Sequence, residues 1–171
     1  MNSRHRFRWA TVAVAALAVA LAVAVAARRD RDAAGTPVGA AAELETLDGG
    51  TTTLADYRGK PLVLNFFASW CPPCLAEMPG FERVHQDLAG RVGFLGVNLQ
   101  DRVTDGRAVV EQTGVTYDIA RDPDGDLFAA FGGIAMPTTV FIDADGNIVD
   151  VQSGELSAGG LADRIDDELL G

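Results

Sequence analysis

The segment FFASWCPPCLAEMPG, residues 66–80, holds both cysteines of the chain, Cys71 and Cys74. An apolar run over residues 62–67 leads into it, which is typical of a strand buried on both faces. Apolar residues at helical spacing follow the second cysteine. Such a pair can be a structural disulfide, half of a metal site or a redox centre. A disulfide here closes too short a loop to restrain the unfolded chain much, so a purely structural bridge is a poor explanation.

A metal site lacks the ligands it needs. Tetrahedral zinc takes four ligands, and besides the two cysteines the chain offers only His5 and His85 as histidines. We expect His85 on the surface of the helix that follows the cysteines. The sequence therefore favours a redox centre and indicates no metal and no cofactor. A metal shared between two molecules is the remaining alternative.

The position of the cysteines predicts their roles. A cysteine between a buried strand and a helix lies where unpaired N–H groups and the helix dipole favour a thiolate. We therefore expect Cys71 to be the attacking nucleophile and Cys74, in the first helical turn, to be the resolving thiol. Pro72 and Pro73 cost little in a first turn, but each removes an N–H that could solvate the thiolate. The amide of Cys74 is then the nearest main-chain donor, and we expect a reducing dithiol.

The N-terminal residues read as a targeting segment. Three arginines fall within residues 1–8, and the nineteen residues of 9–27 carry no charge. At about 1.5 Å per residue they span roughly 28 Å, close to the hydrocarbon core of a bilayer. We expect a cytoplasmic N-terminus over 1–8, a transmembrane signal anchor over 9–27, a flexible linker over 28–42 and an extracytoplasmic domain over 43–171. Cleavage after 24–26 and secretion is the alternative.

The charge of the chain is unevenly placed. The net charge is −10 at pH 7, yet six arginines and two aspartates fall in the first 32 residues, so the remainder carries −14. An acidic body repels phosphate backbones, which argues against nucleic acid as a partner. Two aspartate-rich stretches, 122–126 and 143–147, lack the glycine and glutamate spacing of a calcium loop and are interpreted as turns.

Strand and helix patterns alternate along residues 43–171. Alternation over 43–47, followed by DGGTTTL, predicts a short hairpin. The other predicted strands cover 61–67, 92–99, 138–142 and 148–152, and the predicted helices cover 75–88, 105–112, 126–131 and 161–170. These patterns predict an α/β fold, a three-layer α/β/α sandwich with a mixed central sheet.

The motif WCPPC, residues 70–74, after an apolar strand resembles the active site of the thioredoxin superfamily. MPTT, residues 136–139, strengthens the resemblance, and Glu77 with Pro79 makes it most similar to the membrane-tethered extracytoplasmic thiol–disulfide oxidoreductases of the TlpA/ResA type. The resemblance covers about residues 44–170. It implies a thioredoxin-like fold with a central insertion and a redox-active disulfide between the two cysteines.

The resemblance also implies roles around the disulfide. Pro137 matches a cis-proline that faces the sulfurs and leaves the main-chain groups of Met136 free to pair with a substrate strand. Trp70, Pro72 and Pro73 are the other residues expected to support substrate binding, with Trp70 shielding one side of the sulfurs.

A proton acceptor for the resolving thiol is also implied. Classical thioredoxins carry a buried aspartate where this chain has Asn65, and an amide cannot take a proton. Glu77, three residues after Cys74 and near its helical face, is the candidate that remains. A solvated helix carboxylate is the alternative interpretation.

These inferences predict a protein disulfide reductase that acts on exported proteins and is recharged by a membrane electron donor. The resemblance implies apocytochrome c cysteines, in cytochrome c maturation, or copper-site cysteines as substrates. A disulfide-donating oxidase is the alternative. A peroxiredoxin is disfavoured by the C-x-x-C spacing, and a copper-delivery protein by the lack of any histidine after His85.

Overall fold

A computed structural model describes residues 43–171 of the chain. The predicted N-terminus, anchor and linker, residues 1–8, 9–27 and 28–42, lie outside the described residues. Among residues 43–171, no helix combines the length and apolar character needed to cross a bilayer.

Seven strands and four α-helices make up the described part of the chain. The strands are β1 (Leu44–Glu45), β2 (Thr51–Thr52), β3 (Leu62–Phe67), β4 (Gly93–Leu99), β5 (Asp118–Asp122), β6 (Thr138–Ile142) and β7 (Ile148–Ser153). The helices are α1 (Pro72–Leu88), α2 (Val103–Thr113), α3 (Asp126–Ala130) and α4 (Ala158–Ile165). A 3-10 turn covers Leu54–Tyr57, and a π-helical turn covers Asp166–Leu170.

The central sheet has five strands in the order β5-β4-β3-β6-β7. Strands β3, β4 and β5 pair in parallel, whereas β6 and β7 run antiparallel to their neighbours. All six residues of β3 are buried, because this strand lies in the middle of the sheet and is covered on both faces. The predicted mixed sheet and the predicted hairpin of β1 with β2 are confirmed.

Two apolar clusters fill the two faces of the sheet. The first packs α1, α2 and α4 against the strands and includes the fully buried Phe81 and Leu161. The second lies under the 3-10 turn and α3 and includes Phe66 and Leu127. The long helices thus cover one face and short elements cover the other, so the three layers are unequal in thickness.

Strand β5 is absent from the sequence-based prediction, which assigned only two helices to this segment. β5 pairs with β4 at the edge of the sheet. Its charged side chains have partners outside the strand. Arg121 contacts the distant Glu45 at 2.7 Å, and the carboxylate of Asp122 accepts the amides of Leu127 and Phe128 at the start of α3. Long-range pairing therefore makes a strand from a stretch that is locally too polar to be recognised as one.

An aspartate side chain stabilises the predicted turn over residues 143–147. Between β6 and β7, the carboxylate of Asp143 accepts the amides of Asp145 and Asn147 at 3.0 and 2.8 Å. These bonds are those of a tight turn that closes a hairpin. The interpretation of this stretch as a turn is confirmed.

Candidate active site

The first turn of α1 presents the two sulfurs. Cys71 is the N-cap residue, and Pro72 and Pro73 occupy the first helical positions. Because neither proline has an N–H, the main-chain donor to the Cys71 sulfur is the amide of Cys74, with an N···Sγ distance of 3.3 Å. This is the donor that the sequence predicted. The structure joins the two sulfurs in a disulfide.

The two sulfurs differ in their access to solvent. Cys71 is 4% exposed, whereas Cys74, in the first turn of α1, is completely buried. An external sulfur can therefore reach Cys71 and not Cys74. This asymmetry is the one that a nucleophile and a resolving thiol require.

A cavity of about 610 Å³ opens beside Cys71. Trp70 and Pro73 line it on the helix side, and Ile134 and Met136 line it on the side of the loop before β6. None of its lining residues carries a charge. Trp70 and Ile134 are exposed, by 55% and 87%. This cavity suits an uncharged segment of a substrate.

The loop before β6 places free main-chain groups beside the cavity. The Met136–Pro137 peptide bond is cis, as the resemblance implied, and Pro137 is buried. The carbonyl of Pro137 accepts the amide of Gly154 at 2.8 Å. Met136, by contrast, has no main-chain hydrogen bond to another residue within 43–171. Its N–H and C=O are therefore available to an extended peptide.

Glu77 lies one turn after Cys74 and is only 3% exposed. Its Oε1 accepts the side-chain amide of Asn65 and its Oε2 accepts the main-chain amide of Leu156, both at 2.9 Å. Burial raises the pKa of Glu77 to about 7, although these two hydrogen bonds act to lower it. A carboxyl with a pKa near neutrality can accept and return a proton under ordinary conditions. The alternative of a solvated helix carboxylate does not fit this burial.

Asn65 has a role that the sequence did not reveal. It lies on β3, is 2% exposed, and also contacts Thr139 on β6, with an Nδ2···Oγ1 distance of 3.2 Å. It therefore orients Glu77 from the middle of the sheet. The available signal was its place as the one polar residue in a strand buried on both faces, since such residues need a hydrogen-bonding partner.

His85 does not lie on the helix surface as expected. It is half-buried, and its ring packs against Phe94 and Tyr117 with centroid distances of 5.1 and 5.7 Å. The packing of α1 against these two aromatic side chains explains why His85 is half-buried. Among residues 43–171, no three His, Cys, Asp or Glu side chains are grouped so as to hold a metal ion.

Residues 38–151 match the model of the AhpC/TSA family. The chain belongs to the AhpC/TSA family. Among its relatives, the thioredoxin-like protein YneN of Bacillus subtilis (strain 168) is 31% identical over 126 residues, which cover 72% of this chain and 74% of YneN. Thiol-disulfide oxidoreductase ResA of Geobacillus thermodenitrificans (strain NG80-2) is 32% identical over 115 residues, which cover 67% of this chain and 66% of ResA. The match thus spans just under two thirds of ResA.

The similarity extends to a solved structure. MTB DsbF, in its mixed oxidized and reduced forms, has a TM-score of 0.72 and 33% identity, and the match covers 77% of this chain and 98% of that chain. The predicted thioredoxin-like fold and the predicted relationship to ResA-type oxidoreductases are confirmed. The described domain is a thioredoxin-like thiol–disulfide oxidoreductase domain.

Proposed function

We propose that this chain is a dithiol reductase for disulfides of exported proteins. The observation that carries the proposal is the accessible sulfur of Cys71 at the start of α1, beside an uncharged cavity and the free main-chain groups of Met136. When a substrate strand pairs with Met136, the disulfide of the substrate lies next to the Cys71 sulfur, which is the more exposed of the two. The relatives named as thiol–disulfide oxidoreductases support the same reaction.

The reaction takes two steps and transfers two electrons. The Cys71 thiolate attacks one sulfur of the substrate disulfide, forms a mixed disulfide and releases the other substrate sulfur as a thiolate. The Cys74 thiolate then attacks the Cys71 sulfur, which forms the Cys71–Cys74 disulfide and releases the second substrate thiolate. Glu77 takes the proton of the Cys74 thiol before this second attack. The disulfide seen in the structure is the oxidised product.

The direction of transfer follows from the prolines. Only the Cys74 amide solvates the Cys71 sulfur from the main chain, because Pro72 and Pro73 have no donor. A weakly stabilised thiolate gives up its electrons more readily, which favours reduction of the substrate. A membrane dithiol donor then returns two electrons to the disulfide. Cysteines of apocytochrome c are one substrate of this class.

Residues 9–27 anchor the chain in the membrane, with residues 1–8 in the cytoplasm and the catalytic domain outside. The support is the length of the uncharged run and the arginines before it. Extraction of membranes with alkaline carbonate tests this arrangement. The full-length chain should stay in the pellet, and recovery of a shortened chain in the medium would instead establish cleavage and secretion.

Disulfide reduction by the full chain tests the proposed activity. With insulin as the disulfide and dithiothreitol as the reductant, the wild type should accelerate reduction and Cys71→Ser should abolish the acceleration. Cys74→Ser should accumulate a mixed disulfide, because the resolving attack is lost. A wild type without activity would refute the proposal. A reduction potential close to about −120 mV would identify a disulfide donor instead, and turnover with hydrogen peroxide would identify a peroxiredoxin.

A further inference from the structure

We propose that Asp101 is a positioning residue for exchange at Cys71, an inference that rests on the function proposed above. Asp101 lies just beyond the carboxyl end of β4 and binds the loop that leads to the sulfurs. Its Oδ2 accepts the amide of Ser69 at 2.6 Å, and its Oδ1 accepts the hydroxyl of the same residue at 2.7 Å. Ser69 immediately precedes Trp70 and Cys71.

The carboxylate is itself held from a rigid base. Asn98, which is 1% exposed on β4, donates its side-chain amide to Asp101 Oδ2 at 2.8 Å. Gly106 of α2 packs directly on this amide, since a Cβ at that glycine would lie 2.3 Å from Asn98 Oδ1. The residue before the aspartate is Gln100, which has a φ of 53°. Its main-chain amide donates to the carbonyl of Asp122 at 3.0 Å. The position of Asp101 is therefore fixed by β4 and its neighbours, and Asp101 in turn holds the loop at Ser69.

The loop depends on Asp101 because it has little other support. Four residues, Ala68 to Cys71, lie between β3 and α1. The first three of them make one further main-chain bond, in which the Ala68 carbonyl accepts the Cys71 amide at 3.1 Å. Trp70 stands exposed at the cavity, so packing does not hold it. Loss of Asp101 leaves the half-buried Ser69 amide unpaired and lets the Trp70–Cys71 peptide shift relative to the cavity. Misplacement by about 1 Å can slow a reaction by up to about a hundredfold.

Two substitutions at this position separate geometry from charge. Asp101→Ala removes all three hydrogen bonds. In Asp101→Asn, the amide oxygen can take the place of Oδ2, facing the donors of Ser69 and Asn98. Its NH₂ group then donates to the Ser69 hydroxyl, which can accept as well as donate. The asparagine variant thus keeps the geometry and loses the negative charge.

Glu82 offers a matched control on the same helix as the sulfurs. Its carboxylate accepts the amide and the hydroxyl of Thr116, both at 2.8 Å, which are the two kinds of bond that Asp101 makes with Ser69. It lies eleven residues beyond Cys71, roughly 16 Å along the helix. Glu82→Ala therefore removes an equivalent loop contact far from the reacting atoms.

The experiment measures kcat and KM for insulin reduction by the full-length variants, together with their free energies of unfolding in urea. We expect Asp101→Ala to lower kcat/KM about tenfold, Asp101→Asn to stay within about threefold of the wild type, and Glu82→Ala to lose stability without losing kcat/KM. The effect should persist from pH 6 to 8, since it arises from geometry.

Four results would overturn the inference. If Asp101→Ala loses stability but keeps the wild-type kcat/KM, the carboxylate is merely structural. If Asp101→Asn is as slow as the alanine variant, charge and not position is responsible. An inactive wild type refutes the proposed function, and this inference with it. If Asp101→Ala does not fold, Ser69→Ala should lower kcat/KM about threefold and Ser69→Thr should restore it; equal rates for these two also overturn the inference.

Discussion

The pKa of Glu77 is raised well above the usual value of a glutamate, and a few neighbouring groups explain why. Its side chain is enclosed between α1, β3 and the segment before α4. Among residues 43–171, only the side-chain amide of Asn65 and the main-chain amide of Leu156 donate to it. Two hydrogen bonds compensate incompletely for the loss of water, so the pKa rises to about 7. The same enclosure places the group one turn from the buried sulfur of Cys74.

The raised pKa predicts how stability changes with pH. Below a pH of 4.5, the usual pKa of a glutamate, Glu77 is protonated in both folded and unfolded chains. As the pH rises from 4.5 to 7, the unfolded chain loses this proton first, so the folded state loses on the order of 3 kcal/mol of relative stability. Urea unfolding of the disulfide form, in which neither sulfur titrates, should show this decline between pH 4.5 and 7.

Glu77→Gln supplies the comparison for that decline. A glutamine does not titrate, so the variant should lose the part of the decline that belongs to Glu77, whatever its stability at any single pH. All other titrating groups are common to the two proteins. Parallel curves for the variant and the wild type would contradict the burial-driven pKa.

At the scale of elements, the start of α1 sets the chemistry of the sulfurs. An N-cap side chain ordinarily accepts an N–H from the second or third helical position. Here the second position is Pro73, so only the third, Cys74, donates to Cys71. The Cys71 sulfur therefore accepts from one main-chain amide, where N-cap geometry offers two.

Restoring that donor should make the protein a weaker reductant. Pro73→Ala adds an N–H that can solvate the Cys71 thiolate, and a hydrogen bond of about 1–1.5 kcal/mol raises the reduction potential by about 20–30 mV. Equilibration with glutathione measures the potential. Pro72→Ala is the matched control, because the first helical position does not donate to the N-cap side chain, and its potential should stay near that of the wild type. Equal shifts in both variants would rule out this explanation.

The elements also show where sequence-based prediction works. Strand β3 and helix α1 have strong local signals: a continuous apolar run, then helical spacing that begins at two prolines. β5 has no such signal, because Arg121 and Asp122 are satisfied by Glu45 and by the amides that begin α3. A pattern of apolar residues cannot show a partner that is 76 residues away.

At the scale of the whole molecule, the site combines groups from four distant parts of the chain. The disulfide, its helix and Glu77 could be predicted from one motif, and Pro137 from a second. The supporting bonds of Asn65 and Asp101 could not, since they depend on how β3 aligns with β6 and with β4 in the sheet. Both residues lie within or at the end of buried strands, so sequence reasoning can at most mark them as polar groups in need of partners.

The charge of the whole chain differs from the charge of the cavity beside Cys71. The chain is strongly acidic, yet the cavity beside Cys71 has an uncharged lining. Repulsion of acidic partners is therefore a property of the surface at large, whereas contact at the sulfur depends on apolar and main-chain groups.

The bond from the Leu156 amide to Glu77 joins the segment before α4 to the helix that bears the sulfurs. The chemical shift of an amide proton that donates to a carboxyl group changes when the charge of that group changes. In a ¹⁵N-labelled sample, the resonance of this single amide would follow the ionisation of the carboxyl directly. It offers a spectroscopic view of the buried group beside Cys74 that requires neither a substrate nor a chemical label on sulfur.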